Sequence, residues 1–269
     1  GLVMPMAIDR RCFVVGVRNT QHPRAGEPTT RIIAADLGES FTFNPAAMPA
    51  HFPRWAGYAA GVCAIWAARF NADELRGLTL AIASDVPSGS GLSSSASLEV
   101  TVATALEGAT GRTLDPIDKA LLCQQAEHRW AGVPCGLMDQ LASVRGRAGH
   151  ALLMGFDPPQ ITPVPLPDGI AVLIVNTGVH HELAAGEYAA RRRACETAAA
   201  RLGVPHVSAL RGDEPGLGDA RPLVRHVITE NARVAAFAAA LQAGDLREAG
   251  RFLTASHAAV RDDYLVSCF

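Results

Sequence analysis

The most informative part of this sequence is Pro87-Ser88-Gly89-Ser90-Gly91-Leu92-Ser93-Ser94-Ser95-Ala96-Ser97. It follows an apolar run over 78–83, which predicts a strand, and it leads into an Ala- and Ser-rich segment, which predicts a helix over 93–106. Gly89 and Gly91 allow backbone conformations that other residues avoid and a close approach to a ligand. The serines follow where the free N–H groups and the positive end of a helix favour an anion. Together these features predict a site for a polyphosphate.

The loop belongs to neither of two common phosphate-binding types. No Gly-Lys-Ser/Thr follows the glycines, which excludes a Walker A loop, and the glycine spacing differs from the Rossmann G-x-G-x-x-G pattern. A flexible Gly/Ser loop before an ordinary helix is the structural alternative, and it is the commoner reading of such a segment in isolation.

Around the loop, strands and helices interleave without the strict alternation of a parallel α/β fold, so the sequence predicts an α+β protein. Asp115 suits a helix N-cap, Pro116 the first helical position and Asp118 the first turn. Proline-rich sequence over 158–167 predicts a crossing between two domains. Further strands are predicted over 13–17, 31–35, 151–154 and 170–175, and further helices over 54–70, 115–130, 187–202, 223–242 and 246–259.

Composition excludes several classes of protein. The net charge is −2 and no long run of like charges occurs, which argues against binding to nucleic acid or a membrane surface. No apolar run reaches the roughly 20 residues of a membrane span, and no charged-then-apolar leader opens the chain. The 6 cysteines lie far apart without a C-x-x-C pair, so neither a disulfide scaffold nor a zinc site is indicated. We therefore expect a cytoplasmic protein.

The loop resembles the second motif of the GHMP small-molecule kinases, P-x-x-x-G-L-x-S-S-A, and G-L-S-S-S-A-S-L-E-V at 91–100 is similar to the galactokinase family. C-Q-Q-A-E-H at 123–128 and A-G-V-P-C-G-L-M-D-Q at 131–140 resemble a further pair of that family's blocks. Other blocks follow in the family's order, at 187–193, 225–231 and 256–264. The resemblance thus covers essentially the whole chain.

The resemblance implies a two-domain GHMP kinase fold, with an N-terminal ATP-binding domain over 1–160 and a C-terminal domain over 161–269. It implies ATP-dependent phosphorylation of galactose at the anomeric hydroxyl, which gives galactose 1-phosphate in carbohydrate metabolism. ATP is then the co-substrate and Mg²⁺ the metal. We expect small-molecule partners only, and a monomer.

Asp139 is the candidate catalytic residue. Phosphoryl transfer needs a group that accepts the proton of the attacking hydroxyl or orients that hydroxyl. Asp139 is a carboxylate in a turn that contains Gly and Pro, and the resemblance implies that it faces the sugar hydroxyl that is phosphorylated. On the residue alone, an N-cap of the next helix is an equal alternative. Proton removal and simple orientation both remain open roles.

The resemblance implies further roles for the polar residues of these blocks. Ser95 and Glu127 would bind magnesium, for which hard oxygen ligands are suited; the alternative for Glu127 is a salt bridge to Arg129 or another arginine. Glu99 is expected only to complement the dipole of the loop helix. Candidate ATP contacts are Gly89, Ser90, Gly91, Leu92, Ser93, Ser94, Ser95 and Trp55, and candidate sugar contacts are Gly136, Asp139 and Tyr188.

Two family elements are absent from the sequence. The first motif, R-x-N-L-I-G-E-H-T-D-Y, carries a catalytic arginine and should precede Gly1, and the C-terminal G-G-G-x-G-G loop should follow Phe269. We therefore expect a chain truncated at both ends and a fragment of weak or no activity. The alternatives for function are a GHMP kinase for another sugar and a non-catalytic regulator that binds galactose and ATP.

Overall fold

The apolar strand before the glycine loop lies inside a four-stranded sheet of order β1-β4-β2-β3. In the computed structural model, residues 1–19, 29–176 and 182–265 are described, except for the side chains of 182–189. Strand β4 is antiparallel to β1 and parallel to β2, and β2 is antiparallel to β3. The strands are β1 (Cys12–Arg18), β2 (Thr30–Ala34), β3 (Glu39–Phe43) and β4 (Leu78–Ser84). This mixed sheet confirms the predicted α+β class; β3 was not predicted.

One face of this sheet packs on helices because its apolar side chains alternate. Leu78, Leu80 and Ile82 of β4 are buried, whereas the residues between them are half-buried. They join a core with Trp66 and with small residues of the covering helices. The helices are α1 (Ala56–Arg69), α2 (Ser94–Thr110), α3 (Pro116–Ala126) and α4 (Met138–Arg145).

Helix α3 begins as its local sequence predicts. Asp115 accepts a hydrogen bond from the Ile117 N–H at 2.8 Å, and Pro116 occupies the first helical position. The predicted helix continued to residue 130, but the structure ends α3 at Ala126 and follows it with a π-helical turn, Glu127–Ala131. A π turn holds one residue more than an α turn, and it is often found at functional sites.

A second set of elements comprises a β-hairpin and three helices. The hairpin consists of β5 (His150–Phe156) and β6 (Pro159–Pro165), and the helices are α5 (Glu182–Arg201), α6 (Arg221–Gln242) and α7 (Leu246–Asp262). One small apolar cluster packs α6 against α5, and a second packs α6 against β6 and α7. No described helix is both long and apolar enough to cross a membrane.

Two predictions for this region are wrong. The proline-rich stretch 158–167 is not a domain crossing, because most of it forms β6, which pairs antiparallel with β5. Prolines are tolerated there because, among the described strands, β6 pairs with β5 alone. Residues 170–175 form no strand, although Val172 and Leu173 are of the apolar type that predicts one. A strand needs a partner for its backbone groups, and the described residues supply none to this segment.

The contacts divide the chain into one unit of residues 8–145 and another of residues 1–7 with 146–269. The predicted boundary was residue 160. Residues 1–7 join the second unit because Val3 exchanges hydrogen bonds of 3.0 and 2.9 Å with Met154, and the Leu152 N–H donates to the Pro5 carbonyl at 2.8 Å. The assignment of the two units as ATP-binding and C-terminal domains stays a prediction.

We expect Leu80→Ala to lower the free energy of unfolding by about 2–5 kcal/mol, because Leu80 is fully buried in the central strand. Val15→Ala is the matched control, since Val15 lies on the neighbouring strand β1 with 71% of its surface exposed; we expect a change of about 0.5 kcal/mol or less. Urea denaturation followed by tryptophan fluorescence measures both, because Trp55, Trp66 and Trp130 all belong to residues 8–145. Equal losses in the two variants would contradict the assigned core.

Candidate active site

The loop between β4 and α2 has the backbone conformation that its glycines predict. Gly89 and Gly91 have φ of +68° and +76°, and Ser93 has φ of +57° although it is not glycine. The Ser90 hydroxyl donates to the Pro87 carbonyl at 2.7 Å, which closes the first turn of the loop. A non-glycine residue in the left-handed region costs free energy, and such residues are common at functional sites.

The N-terminus of α2 is suited to an anion. Ser93 is the N-cap residue, but its side chain makes no capping hydrogen bond, and no acidic residue lies in the first turn. The first N–H groups of a helix lack partners within the helix and carry partial positive charge. The predicted ATP contacts from Gly89 to Ser95 thus lie together on one loop and one helix end. Their binding of ATP stays a prediction.

One buried amide joins two carboxylates below this loop. Gln140 of α4 donates from Nε2 to Glu99 Oε2 of α2 at 3.1 Å and to Glu127 Oε2 of the π turn at 2.8 Å. All three residues are buried, with 0% exposure for Glu99 and Gln140 and 4% for Glu127. Glu99 follows Ser95 by four residues on α2, so the two lie on the same side of that helix.

The expected role of Glu99 is wrong. It lies in the second turn of α2 and is fully buried, so it does not serve as a surface partner of the helix dipole. Burial, and next the negative charge of Glu127, raise the pKa of Glu99 to about 9. Neither Glu99 nor Gln140 was predicted as a site residue. The signals were an acid four residues after Ser95 among apolar neighbours, and an amide directly after Asp139.

Glu127 has no ion pair among the described residues, so its structural alternative, a salt bridge to Arg129, is not formed. The Arg129 guanidinium instead lies 5.3 Å from the centre of the Trp130 ring, where cation–π attraction holds it. The Glu127 carboxylate accepts a hydrogen bond from the neutral Gln140 amide, and it also interacts with the side chains of Cys135 and Glu99. The described partners of this carboxylate therefore include no basic side chain.

Close packing of α1 positions the π turn that carries Glu127. A Cβ at Gly57 would lie 2.8 Å from the Trp130 carbonyl oxygen, and one at Gly61 would lie 2.8 Å from the Trp130 Cβ. Only glycine permits helix α1 to approach the turn this closely. Tyr58 of the same helix is half-buried, and this burial, followed by the charge of Glu127, raises the pKa of its phenol.

The segment before α4 is held in place by side chains that hydrogen-bond to its backbone. The Cys135 carbonyl accepts hydrogen bonds from Gln124 Nε2 at 3.3 Å and His128 Nε2 at 2.8 Å, and the next residue, Gly136, is exposed. Asp139 is half-buried in the first turn of α4, which begins at Met138, so Asp139 lies within the helix and is not its N-cap. Gly136 and Asp139 thus border one loop, and their contact with a sugar stays a prediction.

Two further predicted contacts are not tested by the described interactions. Trp55 directly precedes α1, and its Nε1–H donates to Glu39 Oε2 at 2.6 Å, so its indole nitrogen already has a protein partner. Tyr188 lies on α5, but its side chain falls outside the described residues. The roles of both residues remain predictions.

The oxygen atoms near the loop fit a magnesium ion. No group of three or more His, Cys, Asp or Glu side chains in the described ranges is arranged to hold a metal. Magnesium needs few protein ligands where phosphates complete its coordination. Glu99 Oε1 is buried without a hydrogen-bond partner among the described residues, and Glu127 has no basic partner there. A hard cation is the natural partner of such carboxylates.

Sequence comparisons identify close relatives of known activity class. Residues 58–147 match the model of the GHMP kinases N terminal domain, a range that includes both the glycine loop and the buried carboxylates. A galactokinase of Homo sapiens is 41% identical over 100% of this chain and 70% of the relative. A galactokinase of Chloroflexus aggregans is 40% identical over 99% of this chain and 70% of the relative.

A comparison with solved structures agrees on the fold. The crystal structure of Lactococcus lactis galactokinase complexed with galactose matches with a TM-score of 0.79 at 24% sequence identity, over 98% of this chain and 70% of that chain. This similarity confirms the predicted GHMP kinase fold. The present chain spans 70% of the length of each of these three relatives.

We expect Glu99→Gln to flatten the pH dependence of stability in protein free of metal and nucleotide. The folded state keeps the Glu99 proton up to a pKa of about 9, whereas the unfolded chain releases it near the ordinary value of 4.5. The free energy of unfolding of the wild type should therefore fall as pH rises through that window. Urea denaturation between those pH values measures the slope.

The control for this experiment is Glu196→Gln, the same change at an exposed residue that pairs with Arg192 on α5. It should keep the slope of the wild type. An unchanged slope in Glu99→Gln would show that Glu99 does not hold a proton in the folded state.

Proposed function

This chain belongs to the galactokinase family, and we propose that it catalyses the ATP-dependent phosphorylation of galactose at the anomeric hydroxyl, giving galactose 1-phosphate. One observation carries the proposal: Gln140, the residue after Asp139, hydrogen-bonds Glu127 and Glu99, and Glu99 follows the glycine loop by one turn of α2. The groups needed for the phosphates, the metal and the hydroxyl therefore belong to one connected arrangement.

The loop and the start of α2 bind the phosphates of ATP in this proposal. N–H groups from Gly89 to Ser95 donate to the phosphate oxygens, which the positive end of the helix also attracts. Ser95 and Glu127 would hold the magnesium ion, whose chemistry there is to neutralise the charge on the β- and γ-phosphates. The ring of Trp55 contacts the adenine through its face, since its N–H is already bonded to Glu39.

Asp139 acts on the sugar. Its carboxylate accepts a hydrogen bond from the anomeric hydroxyl, which directs an oxygen lone pair at the γ-phosphorus. The carboxylate is also the proton acceptor as the new P–O bond forms and the bond between the γ-phosphorus and the oxygen of the β-phosphate breaks, which releases ADP. Gly136, being exposed and without a side chain, lets the backbone approach the sugar. The Tyr188 hydroxyl supplies a further hydrogen bond to the sugar. The proposed enzyme is a cytoplasmic monomer.

We expect the protein expressed from its complete coding sequence to release ADP in a galactose-dependent reaction, measured by a coupled assay over a panel of galactose, N-acetylgalactosamine and arabinose. Phosphorus NMR should identify the product as a sugar 1-phosphate. Turnover with another sugar of the panel but not with galactose would contradict the assigned substrate. Calorimetry that shows binding of galactose and ATP without turnover would instead indicate a regulator.

We expect Asp139→Asn to lower kcat by about 100-fold or more, because an amide cannot accept the proton and orients the hydroxyl poorly. The control is Asp118→Asn, the same substitution in the first turn of α3, where Asp118 pairs with Arg69 on the surface. The control should keep kcat within about twofold of the wild type. Equal rates for the two variants would exclude Asp139 from catalysis.

A further inference from the structure

One side chain contacts both carboxylates of the buried site. The Gln140 amide nitrogen carries two hydrogens, and its distances of 3.1 Å to Glu99 Oε2 and 2.8 Å to Glu127 Oε2 allow one to each acid. Both carboxylates therefore converge on the same nitrogen atom. The position of Glu127 is therefore tied to that of Gln140.

This arrangement is not explained by stability alone. Burying a carboxylate without a positive partner costs free energy, and apolar residues of similar size would fill the same space at lower cost. Gln140 Oε1 and Glu99 Oε1 are also buried without hydrogen-bond partners among the described residues. A costly polar group of this kind is expected where a ligand needs it.

We propose that Gln140 is a positioning residue for phosphoryl transfer: through its two hydrogen bonds it holds Glu127 in place for the metal and keeps Asp139 in place for the sugar. The proposal rests on the proposed function. Gln140 does not touch substrate or metal in this assignment and acts through its neighbours. Because it is adjacent to Asp139 in the first turn of α4, its buried side chain also fixes the rotation of that helix.

Glu99 is the anchor of this arrangement. The hydrogen bond between Glu99 and Gln140 attaches α4 to α2, one helical turn after Ser95. The second hydrogen bond of Gln140, to Glu127, attaches α4 to the π turn. Three segments that are distant in sequence are thereby held in one geometry. A loss of either bond should release the Glu127 carboxylate from its fixed orientation.

The first test is Gln140→Met, which keeps the length of the side chain and removes both donors. Binding of Mn²⁺ in the presence of ADP is measured by electron paramagnetic resonance, so the readout is independent of turnover. We expect the affinity for Mn²⁺ to fall by about tenfold or more, as is typical when a partner of a metal ligand is removed. Gln125→Met, the same change on the exposed side of α3, is the control and should bind Mn²⁺ like the wild type.

A second pair of variants separates positioning from general destabilisation. Glu99→Met removes a buried acid and should fold well, but it deprives Gln140 of one acceptor, so we expect weaker Mn²⁺ binding. Glu99→Gln restores an acceptor oxygen for Gln140 and should recover most of the lost affinity. The proposal is overturned if the Glu99→Met protein binds Mn²⁺ as tightly as the wild type. It is also overturned if the Gln140→Met protein folds and binds Mn²⁺ as tightly as the wild type.

The outcomes also distinguish this proposal from the proposed function. If the wild type binds Mn²⁺ with ADP but shows no galactose-dependent turnover, the assigned reaction fails, while the variants still test the positioning role. If the wild type turns over galactose and the Gln140→Met protein keeps its metal affinity and kcat, the positioning role alone fails.

Discussion

Two acids are buried in the unit of residues 8–145 without a basic partner among the described residues, and this constraint organises the site. The attraction of a carboxylate for water is lost on burial, and two carboxylates that share a site repel each other strongly at low dielectric. Glu99 responds with a pKa raised to about 9, as burial and the charge of Glu127 demand. A neutral amide donor, Gln140, then links the pair without adding charge.

The backbone around these acids is shaped by residues without large side chains. Gly57 and Gly61 let α1 approach Trp130 closely, and Trp130 belongs to the π turn that begins at Glu127. In the loop before α2, positive φ values at Gly89, Gly91 and Ser93 turn the chain sharply into that helix. The acids and the phosphate loop therefore depend on backbone geometry as much as on the polar side chains.

The failures of sequence-based prediction share a physical cause. Prolines over 158–167 indicated a linker, but they are compatible with β6 because only one edge of that strand is paired in the described structure. The apolar run at 170–175 indicated a strand. Apolar and β-branched residues give a segment only a tendency to form a strand, and the strand forms only where a neighbouring strand pairs with it. In both cases the deciding factor was a partner elsewhere in the chain.

Features that depend on a few neighbouring residues could be predicted from the sequence. Asp115 caps α3 through an N–H two residues away, and the glycines of the loop adopt positive φ because no Cβ opposes it. The motif strings likewise indicated the kinase family, Asp139 and Glu127. The burial of Glu99 could not be predicted in this way, because its partner Gln140 lies 41 residues further along the chain. Backbone preference acts locally, whereas burial and the pairing of charges depend on which elements pack together, and packing alone brought these three polar side chains into one place.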